Sequence, residues 1–260
     1  MNTLPMLGAL AAMVLLTGCD GRHEPDRGPP VSENRNVGSF DSIDLEGAAR
    51  LEIRIGEPLS VVVSGNQAAV ARVETSVSGD TLRIKNKPRD WMMRNNPRLT
   101  VQITLPRLES LEVEGGNDVR LDGLHGGDTT IKAAGAANIE AHGELDELTV
   151  RLAGAGHADL SKLAVTAAKV TVDGVGSVIV NPRESLDATM NGVGAIFYTG
   201  SPSKVKTRMN GLGTISRQDS SEAAPEPEAP QPEDPDSLQL ERADPKQEKV
   251  DHKDGRIIVI

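Results

Sequence analysis

The 260-residue chain has one cysteine and almost no aromatic residues: two Phe, one Trp and one Tyr. A single cysteine excludes an intrachain disulfide, so burial and backbone hydrogen bonds must hold the fold. A core without rings has to be narrow and built from Ala, Val, Ile, Leu and Met. Sugar recognition gains little either, because Phe197 and Tyr198 are the one aromatic pair within the patterned region. Positive charge is outweighed: 28 Lys and Arg against 38 Asp and Glu give a formal net charge of −10 and a pI of about 5.1, which argues against nucleic acid as a partner. No G-x-x-x-x-G-K-[ST] phosphate loop occurs, and the Gly-x-Gly pairs do not open helices. The one long apolar run, residues 5–18, is short for a membrane span.

What the chain does have is glycine at a fixed interval. Gly115, Gly135, Gly154, Gly174, Gly192 and Gly211 recur at gaps of 20, 19, 20, 18 and 19. The column four residues before them reads Leu111, Ile131, Val150, Val170, Ala188 and Thr207, and the column two before reads Val113, Ala133, Leu152, Val172, Met190 and Met209. Val119, Ile139, Ala158, Val178, Ile196 and Ile215 follow four later, and Glu112, Lys132, Arg151, Thr171, Thr189 and Arg208 form a polar column between the first two. Alternation at period two is a strand with one buried and one wet face. Self-similarity at this interval predicts an all-β chain, a parallel β-helix or β-solenoid with coils of about 19 residues. Adjacent backbones pass closely at the glycine corners, and Asp173-Gly174, Asn191-Gly192 and Asn210-Gly211 read as turns using positive φ.

Composition divides the rest. Residues 1–18 read as a lipoprotein signal peptide, since Leu16-Thr17-Gly18-Cys19 resembles a bacterial lipobox and predicts lipid on Cys19. Residues 19–37 are a polar tether, and 38–216 the folded domain, with its repeats over 111–216. Its first half reads as an irregular β-rich cap: strands at 51–55, 59–65, 81–85 and 99–105, a short helix within 66–75, and a Gly79-Asp80 hairpin turn. Residues 217–254 are Pro- and Glu-rich and read as a disordered acidic tail. The apolar segment 255–260 suits either strand addition or a loose terminus.

The opening Phe40-x-x-Ile43, GDTLRI at 79–84, LESLEVEGGNDVRLDG at 108–123 and the G-x-G repeats DGVGSV, NGVGAI and NGLGTI form a recognisable set. It resembles the family named putative auto-transporter adhesin, head GIN domain, over about residues 38–216. That resemblance implies a β-helical bacterial envelope protein with no catalytic residue set. The Pro/Glu tail departs from the simple domain, and the first repeats lack the second glycine.

Candidate chemistry is sparse. Asp118, Asn138 and His157 share the third place after their glycines and form a possible ligand row, or a ladder that caps turns. His125, His142 and His157 occupy different places on the coil and do not form a metal site; no metal or cofactor is expected. Trp91, Met92 and Met93, flanked by arginines, suit either a partner contact or the cover of a core end. The expected function is a non-catalytic, lipid-anchored binding, adhesion or structural module of the cell envelope. Its expected partners are the membrane, through Cys19, and an envelope protein or glycan. The alternatives are a carbohydrate-active β-helix and an accessory subunit of a membrane signalling or transport complex.

Overall fold

The structure, a computed structural model, describes residues 29–86 and 99–218. Cys19, Trp91, Met92, Met93, the signal segment and the terminal 255–260 segment lie outside the described residues. The folded part is all-β. Its strands are β1 (Pro30–Asn34), β2 (Ser42–Gly47), β3 (Ala49–Ile55), β4 (Ser60–Asn66), β5 (Glu74–Ser78), β6 (Thr81–Asn86), β7 (Thr100–Leu105), β8 (Ser110–His125), β9 (Asp128–Val172), β10 (Val175–Met190), β11 (Val193–Tyr198), β12 (Lys204–Met209) and β13 (Leu212–Arg217). One helical turn, α1 (Gln67–Val70), is capped by the Asn66 side chain, which accepts from the Ala69 amide at 2.6 Å.

The glycine repeat becomes a parallel ladder. Gly115 pairs with Gly135 between β8 and β9, Val175 with Ala155 between β10 and β9, and Val193 with Val175 between β11 and β10. Small register shifts between Leu121 and Leu124, and between Val180 and Ser185, absorb the unequal repeat lengths. The columns preceding and following the glycines bury as expected through Ile196: Leu111, Val113, Val119, Ile131, Ile139, Val170, Val172, Val178 and Ile196 all lie in one continuous core, whereas Thr207 and Met209 of the last repeat are exposed and Ile215 is half-buried.

None of the six glycines has room for a Cβ, and two of them have a second reason for being glycine. Gly115 and Gly135 have positive φ, 109° and 105°. Gly154, Gly174, Gly192 and Gly211 do not need that region, contrary to the turn reading of their dipeptides. For them the constraint is space: a Cβ on each would lie well inside 3.0 Å of the backbone of the glycine one coil earlier. A second column, Gly156, Gly176, Gly194 and Gly213, is constrained the same way. The Asp and Asn residues before the glycines form a side-chain ladder: the Asn191 amide donates to Asp173 at 2.7 Å and the Asn210 amide to Asn191 at 2.9 Å.

The first half is more regular than its sequence suggests. β2 lies in parallel between β6 and β8, and β3 lies in parallel between β7 and β8. The Gly47 corner between β2 and β3 therefore sits directly beneath Gly115, and a Cβ at Gly115 would strike the Gly47 carbonyl. The ladder thus runs from β6 and β7 through to β13. Only its beginning is irregular: β5 pairs antiparallel with β6, β4 with β7 and β1 with β4. Buried Ala69 and Val70 of α1 join the core at that end. Among the described residues, no helix is long and apolar enough to cross a membrane.

Candidate functional site

Alternation puts every second residue of a rung outside, and the parallel register stacks those residues into rows. The row predicted to carry a ligand is assembled. Asp118 pairs with Asn138, whose amide donates to the Asp118 carboxylate at 3.4 Å. His157 pairs with Ser177 and meets its hydroxyl at 2.7 Å. Beneath Asp118 stands Arg50 of β3, its guanidinium 3.0 Å from the carboxylate. Arg50, Asp118, Asn138 and His157 edge an open groove of about 740 Å³, lined also by Thr100, Asn117, Ala137 and Gly156. Asp118 is the one carboxylate among its lining residues. Buried Asn117 ties two rungs together by accepting from the Ala49 amide at 3.2 Å.

Neighbouring rows pair opposite charges along the ladder. Arg120 contacts Glu140 at 2.5 Å, Lys132 stands 3.5 Å from Glu112, and Lys85 is 3.2 Å from Glu46, while the neutral Gln102 amide donates to Glu52 at 2.9 Å. The Glu140 carboxylate raises the pKa of the Arg120 guanidinium through its hydrogen bond and its charge. Asp159 is held below the usual carboxylate range, chiefly because the Ser161 hydroxyl donates to it at 2.6 Å, against a smaller opposing effect of burial. A glycosidase needs two carboxylates kept in different protonation states across a scissile bond. Asp118, the carboxylate of the groove, is instead exposed and matched with Arg50, and Glu140 beside it with Arg120, an arrangement suited to contact. The three histidines stay apart: His142 meets Asp122 at 2.7 Å and His125 its own loop at the Gly123 carbonyl. Among the described residues, no three His, Cys, Asp or Glu side chains are placed to hold a metal ion.

The most telling surface feature is one that the sequence reading passed over. Immediately after the glycines, Val175, Val193 and Leu212 pair in register and all point outward. Their relative exposures are 59%, 48% and 73%. Together with Val205 and Met209 they are the exposed large apolar residues among the described ones, and all five lie in the last coils. A contiguous apolar stripe on a wet face marks an interaction surface, whereas scattered apolar residues need no explanation. Its signal was present in the sequence as the column Gly116, Ala136, Ala155, Val175, Val193, Leu212, which grows steadily more apolar. Arg50 and Glu52 were also missed, because β3 had not been aligned with the repeats.

Residues 39–202 match the family model described as putative auto-transporter adhesin, head GIN domain. The chain belongs to that family. A crystal structure of a putative adhesin from Bacteroides fragilis NCTC 9343 resembles this head GIN domain with a TM-score of 0.59 and 25% identity, covering 73% of this chain and 97% of the other. Two proteins of Parabacteroides distasonis ATCC 8503 are more distant. One, described as a putative lipid binding protein, has a TM-score of 0.45 at 19% identity and covers 74% of this chain and 97% of its own. The other, a putative adhesin, has a TM-score of 0.44 at 21% identity and covers 74% and 98%. No curated protein matches the head GIN chain.

Proposed function

We propose that this head GIN protein is a non-catalytic binding module of the bacterial envelope. In this reading the parallel rungs close into a β-solenoid with coils of about 19 residues. Lipid on Cys19 holds the protein to a membrane, residues 19–37 act as tether, and 38–216 form the presenting domain. The acidic segment 217–254 adds reach. The observation that carries the binding role is the outward row Val175–Val193–Leu212 beside the polar row His157–Ser177. Apolar side chains desolvate a partner, and the polar row beside them supplies direction through hydrogen bonds. Membership of an adhesin family supports the same reading, as does the pairing of Asp118 with Arg50 and of Glu140 with Arg120 beside the groove.

The test is photo-crosslinking in living cells, with the reactive residue placed in the full-length protein at Val193 or, on another face, at Lys169. The expected result is a discrete adduct with an envelope protein or glycan from Val193 and none from Lys169. Equal yields from both positions, or cleavage of envelope polysaccharide by the purified protein, would contradict the proposal. The latter would favour the carbohydrate-active alternative.

A further inference from the structure

The two ends of the ladder are finished differently. At the beginning, β6 and β7 are covered by antiparallel β5, β4 and β1 and by α1. At the far end, among the described residues, β12 pairs with β10 alone and β13 with β11 alone. Stacked β architectures need a closing element at each end, because an open rung leaves backbone donors and acceptors without partners.

The open rung also interrupts the core. Val205 and Met209 are each 44% exposed, although Leu186 and Met190, directly beneath them in register, are 2% and 0% exposed. On the outward side of the same strand stand Lys204, Lys206 and Arg208, paired in register with Ser185, Asp187 and Thr189. Elsewhere the ladder sets acid against base across neighbouring strands, as in Glu112–Lys132, Arg120–Glu140, Arg50–Asp118 and Lys85–Glu46. On the β12 edge, Asp187 supplies the one such partner, 3.0 Å from Arg208. Continued by one more strand, the pattern calls for acids over Lys204, Lys206 and Arg208, and for apolar residues over Val205 and Met209. A second copy meeting edge to edge would bring three cations against three, which is unfavourable for directly opposed strands.

We infer that the open edge of β12 accepts an extended strand of a protein partner in which acidic and apolar residues alternate. Main-chain pairing supplies affinity, and the Lys204, Lys206 and Arg208 row supplies selection. The same cations keep like edges apart, so a single row both blocks self-association and chooses the partner. The inference rests on the pairing register and does not depend on the binding role of the Val175–Val193–Leu212 row.

The experiment uses the full chain and two fluorescent hexapeptides, EVETEV and KVKTKV, read by anisotropy at low salt. The acidic peptide should bind at least about tenfold more tightly, with an advantage that shrinks as salt screens the charges. The triple variant K204E/K206E/R208E should reverse the preference and still unfold in one cooperative transition, with a small loss of stability because K206E and R208E set acids beside Asp187 on a strand exposed along its length. Equal binding of the two peptides, no binding of either, or an unchanged preference in the triple variant would overturn the inference. Sedimentation of the full chain as a dimer that the triple variant dissociates would also overturn it, by assigning the edge to a second copy.

Discussion

Gly174→Val should be among the most damaging single substitutions in the domain, while Thr171→Val, three residues earlier, should leave stability nearly unchanged. A Cβ at position 174 falls within 3.0 Å of three backbone atoms of Gly154: its oxygen, nitrogen and carbonyl carbon. Backbone has no rotamer to change, so relief requires two coils to move apart and the hydrogen bonds of the corner to lengthen. The loss belongs with the severe class of substitutions, about 4 kcal/mol. For a domain of this size that corresponds to a fall in melting temperature of roughly 8–16 °C. Gly174→Ala should suffer most of the same loss, because the first side-chain carbon makes the collision. Thr171 sits half-buried in a strand beside Thr189, where a valine of equal shape and better β propensity is accommodated, so its change should stay within about 0.5 kcal/mol. Thermal unfolding followed by far-UV circular dichroism makes the comparison. Equal melting temperatures would show that the corners do not pack as closely as described.

Gly47→Val should be at least as costly, and its effect should reach the whole domain. Position 47 combines a positive φ of 123° with a Cβ that would overlap the Asn86 carbonyl. Asn86 cannot retreat freely, since its side-chain amide donates to the Ala48 carbonyl at 2.6 Å. Strain and collision together place the loss at about 4 kcal/mol or above. The informative part is the form of the transition. β2 and β3 lie between β6/β7 and β8, and Leu45, Leu51, Leu111 and Leu121 share one core. Calorimetry should therefore show one transition displaced to lower temperature. Two separated transitions, with the later coils keeping their original midpoint, would mean that the first half is an independent cap.

The sequence carried the repeat plainly, because the coils from Leu111 to Ile196 spend their residues alike: apolar inward, polar outward, glycine at the corner. It also carried the hairpin at Gly79-Asp80, observed as β5 and β6, and the short helix, observed as Gln67–Val70. The role of the first half stayed hidden for a topological reason. Ala49 bonds Asn117 across 68 residues of chain, so Gly47 falls off the 19-residue interval although it lies on the same column in space. The rung formed by β6 and β7 is split by residues 87–98 and has Asn86 where the others have glycine. A repeat search sees spacing along the chain, whereas these rungs are neighbours only after folding. The reason for the glycines was legible in part: close approach was foreseen, and the true limit at Gly154 to Gly211 proved to be room for a Cβ and not a positive φ. The apolar row lay outside the columns read for burial, since alternation assigns Val175, Val193 and Leu212 to the wet face.

The central claim is that successive coils stack into one solenoid. It is tested most directly by a distance between two spin labels on one outward column. Cys19→Ala removes the only native cysteine, and cysteines at Glu112 and Arg208 then carry the labels; the exposed ion pairs lost at Glu112 and Arg208 are of little worth to stability. The column Glu112, Lys132, Arg151, Thr171, Thr189, Arg208 makes five steps of about 4.8 Å each, so the account predicts a narrow distribution near 24 Å, allowing for the label tethers. A broad distribution, or one centred at roughly twice that distance or more, would contradict stacking at one strand spacing per coil.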